Sequence, residues 1–233
     1  PAAGENRVVF MGNSITEGWL TTDPDFFKGR PYVDRGISGQ TTAQMLVRFR
    51  QDVIDLKPAV VVILAGTNDI AGNTGPATPQ MIQDNLASMA QLAKANGMAV
   101  VLASVLPASD YPWKTGLQPA PKIRALNDWI RQYAQRTGAV YLDYYGALDN
   151  GQGGLDAKVS GDGVHPNAAG YAVMAPLAQA AVQRALQQGM GWGRSVLVRE
   201  GTAQRLTLHP PDDDLGDEHE DEDEATDSGQ DPA

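Results

Sequence analysis

Only three histidines occur in this chain of 233 residues, and two of them, His209 and His219, lie in an acidic, low-complexity stretch near its end. His165 is therefore the one imidazole that the rest of the sequence offers for acid–base chemistry near neutral pH. Asp162 precedes it by three positions and could accept the second ring N–H. Ser14 follows an apolar run near the start of the chain. A serine, a histidine and an aspartate are thus available for nucleophilic catalysis.

Ser14 comes directly after a strand-like run, in a turn entered through Gly12. A serine that attacks a carbonyl needs an exposed hydroxyl on a tight strand-to-helix turn, and a glycine nearby permits a close approach. A serine in such a turn can also serve only to cap the helix that follows. Taken alone, Ser14 leaves catalysis and capping open.

Two further turns could supply hydrogen-bond donors to an oxyanion. Residues 36–40, GISGQ, follow the second strand-like run, and the amide of Gly39 could point at an oxyanion. Residues 65–69, AGTND, follow the third run, and Asn68 could aim its side-chain amide at the same place. An ordinary glycine turn and a turn asparagine that bonds its own backbone are the alternatives.

Asp162 and His165 lie in a glycine-rich loop before the last predicted helix. The carboxylate could fix the tautomer of the ring, so that the other nitrogen takes the serine proton. A metal half-site and a solvent-exposed pair are alternatives. Metal is disfavoured because the chain has no cysteine and no second histidine outside the acidic stretch. We therefore expect no metal, and catalysis by a serine, a histidine and an aspartate needs no cofactor.

The net charge of −10 is concentrated at the end of the chain. Twelve of the 28 acidic residues and none of the 18 basic ones lie between His209 and Ala233, so the first 208 residues carry 16 acidic and 18 basic side chains. This near-neutral part has no concentrated basic stripe, which argues against nucleic-acid binding. The sequence contains no apolar stretch long enough for a membrane helix, so we expect no integral membrane segment.

Five short apolar and β-branched runs predict buried strands: Arg7 to Met11, Pro31 to Gly36, Ala59 to Ala65, Met98 to Ser104 and Ala139 to Asp143. Helical patterns lie after them, at about 41–56, 78–96, 121–137 and 167–188. Strands that alternate with helices predict a three-layer α/β/α sandwich around a five-stranded parallel sheet. In such sheets ligands bind beyond the carboxyl ends of the strands.

The candidate residues converge on that edge. In chain order, the nucleophile, the two oxyanion donors and the base with its orienting carboxylate follow strands one, two, three and five. Independent helix caps have no reason to supply this complete set. The conjunction therefore favours a catalytic site for acyl transfer over four unrelated turns.

These residues resemble the blocks that define the SGNH hydrolases, also called GDSL-type esterases and lipases, over about residues 7–188. Ser14 matches the block I serine, Gly39 the block II glycine and Asn68 the block III asparagine. The pair of Asp162 and His165 matches the block V motif Asp-x-x-His.

The resemblance implies a flavodoxin-like fold with strand order 2-1-3-4-5. It also implies a catalytic triad of Ser14, Asp162 and His165, and an oxyanion hole formed by the amides of Ser14 and Gly39 with the side chain of Asn68. One departure is that Asn13 stands where the family usually has aspartate. An amide can still hydrogen-bond neighbouring loops, so this change does not exclude activity.

The expected reaction is hydrolysis of carboxylic esters through an acyl-enzyme on Ser14, with short-chain acyl or acetyl esters of small molecules or carbohydrates as substrates. Candidates for a substrate pocket are the apolar side chains Trp19, Tyr111, Trp113 and Leu117. For the last three, a proline-rich connection packed by its own aromatic side chains is an equal alternative. An acyltransferase that uses the same acyl-enzyme, and a non-catalytic binding module on the same fold, remain rival functions. Oligomeric state is not predicted.

The chain divides into a predicted hydrolase domain at 1–190, an appendage at 191–208 and an acidic, disordered tail at 209–233. Within the appendage, Ser195 to Leu208 alternates weakly and is compatible with a small hairpin. The tail buries too little apolar surface to fold. Because the sequence begins without methionine, a secreted or periplasmic location is favoured over a cytoplasmic one.

Overall fold

The computed structural model describes residues 5–200, with side chains for residues 5–189. Five strands form one sheet: β1 (Val8–Gly12), β2 (Tyr32–Gly36), β3 (Val60–Leu64), β4 (Ala99–Ala103) and β5 (Val140–Leu142). All neighbouring strands pair in parallel, in the order β2-β1-β3-β4-β5. The predicted fold class and the strand order that the resemblance implied are confirmed.

The described residues contain seven α-helices: α1 (Ser14–Thr22), α2 (Thr42–Asp52), α3 (Thr67–Ala71), α4 (Pro79–Ala95), α5 (Ala120–Thr137), α6 (Tyr144–Leu148) and α7 (Ala168–Glu200). Two short 3-10 segments add Pro24–Phe26 and Ile54–Leu56. The start of α2 follows its sequence signal, because the N–H of Thr41 donates to Gln44 Oε1 at 3.0 Å. None of the helices between residues 5 and 189 is long and apolar enough to cross a bilayer.

The sheet buries a hydrophobic core on each face because successive side chains of a strand point to opposite sides. On β1, Val9 and Met11 face the core that α2, α4 and α5 cover. Val8 and Phe10 face the second core, which α1, α6 and α7 cover. The strands are thus covered on both faces, and the site can form only where loops leave the sheet at its edge.

Helix α7 continues further than the alternation of the sequence predicted. It runs to Glu200, so the part of the expected hairpin from Ser195 to Glu200 is helical instead. Extending an existing helix by one residue is easier than starting a new element, which favours continuation of α7 over a separate hairpin. The remainder of the expected hairpin, 201–208, and the acidic tail, 209–233, lie outside the described residues.

Candidate active site

Ser14 is the first residue of α1, and β1 ends two positions before it at Gly12. Asn13 is buried between them and caps the helix, because its Oδ1 accepts the N–H of Ile15 at 3.0 Å. A Cβ on Gly12 would lie 2.0 Å from Thr16 Oγ1, so the turn accepts only glycine there. The sequence analysis did not predict α1, although the pair of Asn13 and Glu17 at its start is a helix signal.

Ser14, His165 and Asp162 form a continuous hydrogen-bonded triad. Ser14 Oγ lies 2.9 Å from His165 Nε2, and His165 Nδ1 lies 2.6 Å from Asp162 Oδ2. The serine and the histidine are 151 positions apart in the chain. Asp162 and His165 lie on the loop between α6 and α7, about 20 residues beyond β5 rather than directly at its end. The loop returns to the sheet edge and brings the three predicted residues together.

The Asp162 carboxylate is held in its ionised form by its own loop. Its second oxygen, Oδ1, accepts the backbone N–H groups of Val164 at 2.9 Å and of His165 at 2.8 Å. Partial burial would raise the pKa of Asp162. The hydrogen bonds from the backbone and side chain of His165 and from Val164 outweigh it and lower the pKa to about 2. The triad thus contains an anion that can stabilise an imidazolium.

Ser160 supports this loop from beneath and is buried. Its hydroxyl lies 2.7 Å from the carbonyl oxygen of His165 and 3.2 Å from Asp162 Oδ1, and it accepts the N–H of Gly163 at 3.0 Å. One hydroxyl thereby contacts both members of the Asp–His pair. Its sequence signal, a serine two positions before the motif, was not used in the prediction.

The two further oxyanion-donor candidates lie on segments that touch each other, Gly39 on the loop after β2 and Asn68 on α3. Gly39 has a φ of +77°, a left-handed conformation that glycine adopts readily. Asn68 is buried on α3 and donates from Nδ2 to the carbonyl oxygen of Gln40 at 2.9 Å. The third candidate donor is the backbone N–H of Ser14, which belongs to the first turn of α1 and has no acceptor within the helix.

Two buried polar contacts fix these loops relative to α2. The Asp69 carboxylate accepts the N–H of Thr42 at 3.0 Å and its hydroxyl at 2.6 Å, and burial raises the pKa of Asp69 against these hydrogen bonds. Arg48 donates to the carbonyl oxygens of Gly12 at 3.0 Å and Arg35 at 2.9 Å, and to Gln40 Oε1. Arg48 therefore joins the ends of β1 and β2 to the loop that carries Gly39. The sequence analysis identified neither contact.

The four candidates for the substrate pocket differ in their exposure and in their distance from the triad. Trp113 is 45% exposed, and its ring centroid lies 6.1 Å from that of His165, so it borders the triad. Tyr111 is fully buried beneath Trp113, with ring centroids 5.0 Å apart, so it supports Trp113 and does not itself line an open pocket. Leu117 packs partly buried against the same core. The expectation for Trp19 is wrong, because its side chain is buried between Phe26 and Tyr171 in the core beneath α1.

The arrangement supplies every group that nucleophilic attack on an ester requires. His165 Nε2 can take the proton of Ser14 Oγ, while Asp162 balances the resulting charge. The amides of Ser14 and Gly39 and the side chain of Asn68 are the candidate oxyanion donors. Across the part of the chain with described side chains, no three His, Asp or Glu residues are placed to hold a metal ion.

Comparison with known proteins identifies the family of this chain. The model of the GDSL-like lipase/acylhydrolase family matches residues 10–173. Esterase TesA of Pseudomonas aeruginosa is 32% identical over 171 residues, which cover 70% of this chain and 77% of TesA. The lipoprotein YqeF of Bacillus subtilis, which is uncharacterized, is 30% identical over 121 residues that cover 45% of this chain and 50% of YqeF.

A solved structure extends the similarity to the fold. The crystal structure of a GDSL-like lipase from Bacteroides thetaiotaomicron has a TM-score of 0.77 and 50% sequence identity, and the match covers 79% of this chain and 91% of that one. The family match includes the end of β1, the other four strands, the serine turn and the Asp–His loop described above. The chain therefore belongs to the GDSL-like lipase/acylhydrolase family and is a carboxylic ester hydrolase.

Proposed function

We propose that this hydrolase cleaves short-chain acyl or acetyl esters through a covalent acyl-enzyme on Ser14. The observation that carries the proposal is the triad, in which Ser14 Oγ lies 2.9 Å from His165 Nε2 and Asp162 lies 2.6 Å from the opposite ring nitrogen. These distances are those of a nucleophile in contact with its base, and of a base oriented by a carboxylate.

In the first half-reaction, Ser14 Oγ attacks the carbonyl carbon of the ester while its proton passes to His165 Nε2. The bond to the leaving alcohol then breaks, and His165 returns the proton to that alcohol, which leaves the acyl group on Ser14. In the second half-reaction His165 takes a proton from a water molecule as that water attacks the acyl carbon. The bond to Ser14 Oγ then breaks, the proton returns to Ser14, and the carboxylic acid departs. Each oxyanion donor contributes about 3 kcal/mol of transition-state stabilisation in sites of this kind.

The surroundings of the triad support a short acyl chain. Among the described residues, large apolar side chains that are exposed on the loops at this edge include Ile37, beside Gly39, and Trp113, beside His165. A long acyl chain needs an extended row of such side chains to replace water along its length. Two separate side chains fit an acetyl or similarly small group and leave the alcohol part of the substrate in solvent.

Hydrolysis is favoured over acyl transfer because the triad is open to water. The side chains of His165 and Asp162 are 38% and 41% exposed. An acyltransferase must keep water from the acyl-enzyme until its acceptor arrives. The intact triad likewise disfavours a non-catalytic binding module. A secreted or periplasmic location, and the division of the chain at residues 190 and 208, remain predictions.

The test compares the hydrolysis of p-nitrophenyl acetate, butyrate and octanoate by the full chain and by Ser14→Ala. We expect kcat/KM to be highest for acetate or butyrate and to fall by several orders of magnitude in the variant for all three esters. A preference for octanoate would contradict the short-chain assignment. Near-normal turnover by folded Ser14→Ala would contradict the acyl-enzyme. Diversion of most product into an ester by added alcohol would favour the acyltransferase instead.

A further inference from the structure

A chain of side-chain hydrogen bonds connects the exposed Trp113 with Asn68, the side-chain donor of the oxyanion hole. Trp113 Nε1 donates to Asn73 Oδ1 at 3.1 Å, and Asn73 Nδ2 donates to Asn68 Oδ1 at 2.9 Å. Asn73 Nδ2 also lies 3.4 Å from the carbonyl oxygen of Gly39. The side chain of Asn73 thus contacts both segments that carry oxyanion-donor candidates, although Asn73 itself is exposed.

The groups at the two ends of this series of hydrogen bonds, the indole N–H of Trp113 and the carbonyl oxygen of Gln40, fix which way each amide faces. An indole N–H can only donate, so the atom of Asn73 that faces Trp113 must be oxygen, and its nitrogen must then face Asn68. A backbone carbonyl can only accept, so the atom of Asn68 that faces Gln40 must be nitrogen. Both ends therefore give the same orientation of Asn68. This orientation uses one Nδ2 hydrogen on Gln40 and leaves the second for a ligand.

The loop that carries Trp113 is held in place independently. Tyr111, two positions earlier, is buried and lies with its hydroxyl 3.0 Å from Thr67 Oγ1, immediately before Asn68. Asp110 accepts the N–H groups of Tyr111 at 2.9 Å and of Gly116 at 2.8 Å, which closes the loop on itself. The backbone that carries the Trp113 indole is thus held in place by contacts that do not involve Asn73.

We propose that Asn73 is a positioning residue that holds the Asn68 amide in its donating orientation, and that the indole N–H of Trp113 locks Asn73. The inference rests on the proposed function, because it assigns Asn68 to the oxyanion hole. It adds that Trp113, whose ring borders His165, and the oxyanion donor Asn68 belong to one hydrogen-bonded unit. Trp113 therefore affects the chemical step as well as substrate binding.

The test begins with two substitutions of Asn73 in the full chain. Asn73→Asp keeps the shape and the acceptor for Trp113, but it places an oxygen against Asn68 Oδ1, so the Asn68 amide should turn over. Loss of one oxyanion donor lowers kcat by about 100-fold to 1,000-fold, and we expect a misoriented one to lower it by about 10-fold to 100-fold. KM should stay within about twofold, because ground-state binding does not use this donor. Asn73→Leu, which removes all the side-chain hydrogen bonds of Asn73 without adding charge, should lower kcat similarly and leave the pH profile unchanged.

Trp113→Phe separates the indole N–H from the aromatic ring. We expect kcat to fall by about 3-fold to 10-fold, as for loss of one hydrogen bond, with KM within about twofold. The matched control for Asn73→Asp is Asn96→Asp, the same chemical change at the exposed end of α4, where Asn96 Nδ2 bonds only the carbonyl oxygen of Leu92 among the described residues. The control should retain wild-type kcat and KM.

NMR spectroscopy detects the hydrogen bond from Trp113 to Asn73 without depending on catalysis. In the ¹⁵N-labelled protein, the indole N–H resonance of Trp113 is assigned by its loss in Trp113→Phe. It should move upfield in Asn73→Leu as its acceptor disappears. An unmoved resonance, or wild-type kcat in Asn73→Asp, would overturn the positioning role. A parallel change in kcat, KM and thermal stability in every variant would also overturn the positioning role. Wild-type protein without Ser14-dependent turnover would instead overturn the proposed function, and this inference with it.

Discussion

The guanidinium of Arg48 donates a hydrogen bond to the carbonyl oxygen of Gly12, two residues before Ser14, at 3.0 Å. The same carbonyl accepts the N–H of Ile37 at 3.1 Å, so the serine turn and the loop that carries Gly39 meet at one oxygen atom. Arg48 also forms an ion pair with Asp52 at 2.7 Å. A single, largely buried arginine on α2 thus aligns the nucleophile turn with the oxyanion loop.

Arg48→Met should therefore reduce both stability and catalysis. It keeps the aliphatic volume but leaves the carbonyl oxygens of Gly12 and Arg35 without their charged donor, which should destabilise the fold by about 2 kcal/mol. We expect kcat to fall by about tenfold or more, because small displacements of a nucleophile reduce the rate strongly. Arg50→Met, on the exposed side of the same helix, is the control and should change neither urea unfolding nor kcat. Equal effects of the two substitutions would contradict the aligning role of Arg48.

Asp162→Asn tests the charge within the triad. The amide cannot balance the imidazolium, so kcat should fall by about 10³-fold to 10⁴-fold with little change in KM. Because the pKa of Asp162 is lowered to about 2, its stabilising ionised form is present above the pKa of an unfolded aspartate and is lost only as the pH falls through about 2. Any loss of wild-type activity between pH 7 and pH 4 should therefore not reflect protonation of Asp162. A variant that keeps a tenth of wild-type kcat would contradict this role.

Trp19 and Trp113 should respond in opposite ways to substitution. Trp19 stacks on Phe26 at a centroid distance of 4.2 Å and is buried, so Trp19→Phe should destabilise the fold by about 2 kcal/mol without changing KM. Trp113→Ala should raise KM several-fold and change the melting temperature by less than about 2 °C, because the side chain is half exposed. Thermal unfolding and steady-state kinetics of both variants test this assignment. A raised KM in Trp19→Phe would contradict this assignment and indicate that Trp19 contributes to substrate binding.

The strands, the long helices and the four sequence blocks were predictable because each depends on local signals. Short runs rich in apolar and β-branched residues mark the strands, and Gly138, with a φ of +70°, ends α5 where the sequence indicated a stop. The misplacement of Trp19 has a geometric cause. It follows Ser14 by five positions, and a helix of 3.6 residues per turn carries those two side chains to different faces. Without α1 in the prediction, this rotation could not be considered.

The contacts of Asn73 and Arg48 could not be predicted because their partners are distant in sequence. Asn73 meets Trp113 across 40 positions, and Arg48 meets Gly12 across 36. An exposed asparagine after a helix and an arginine on an amphipathic helix each have an ordinary local explanation. Only the loop geometry at the sheet edge shows which carbonyl or amide each side chain reaches.

Asp34 on β2 should make stability depend on pH. Burial raises its pKa to about 6, the N–H of Gly36 and nearby charges act on it less, and among the described residues its Oδ2 has no hydrogen-bond partner. A raised pKa means that the protonated form is favoured in the fold, so this contribution is complete below pH 4 and is lost as the pH rises through about 6. Asp34→Asn should therefore raise the melting temperature by about 2–4 °C at pH 8 and not at pH 4.

The matched control for this prediction is Asp55→Asn, a change of the same charge at an exposed position. Its melting temperature should follow that of the wild type at both pH values. If Asp34→Asn gave the same gain at pH 4 as at pH 8, the ionised carboxylate would not be the source of the destabilisation.

The most direct test of the catalytic assignment is the intact mass of the full chain after treatment with a small alkyl fluorophosphonate, followed by peptide mapping. Such reagents bond covalently to a serine that a neighbouring base has activated. The triad predicts one adduct per chain, located on Ser14, and none in Ser14→Ala. Unmodified wild-type protein that still hydrolyses esters, or an adduct on a serine other than Ser14, would contradict the assignment of Ser14 as the nucleophile.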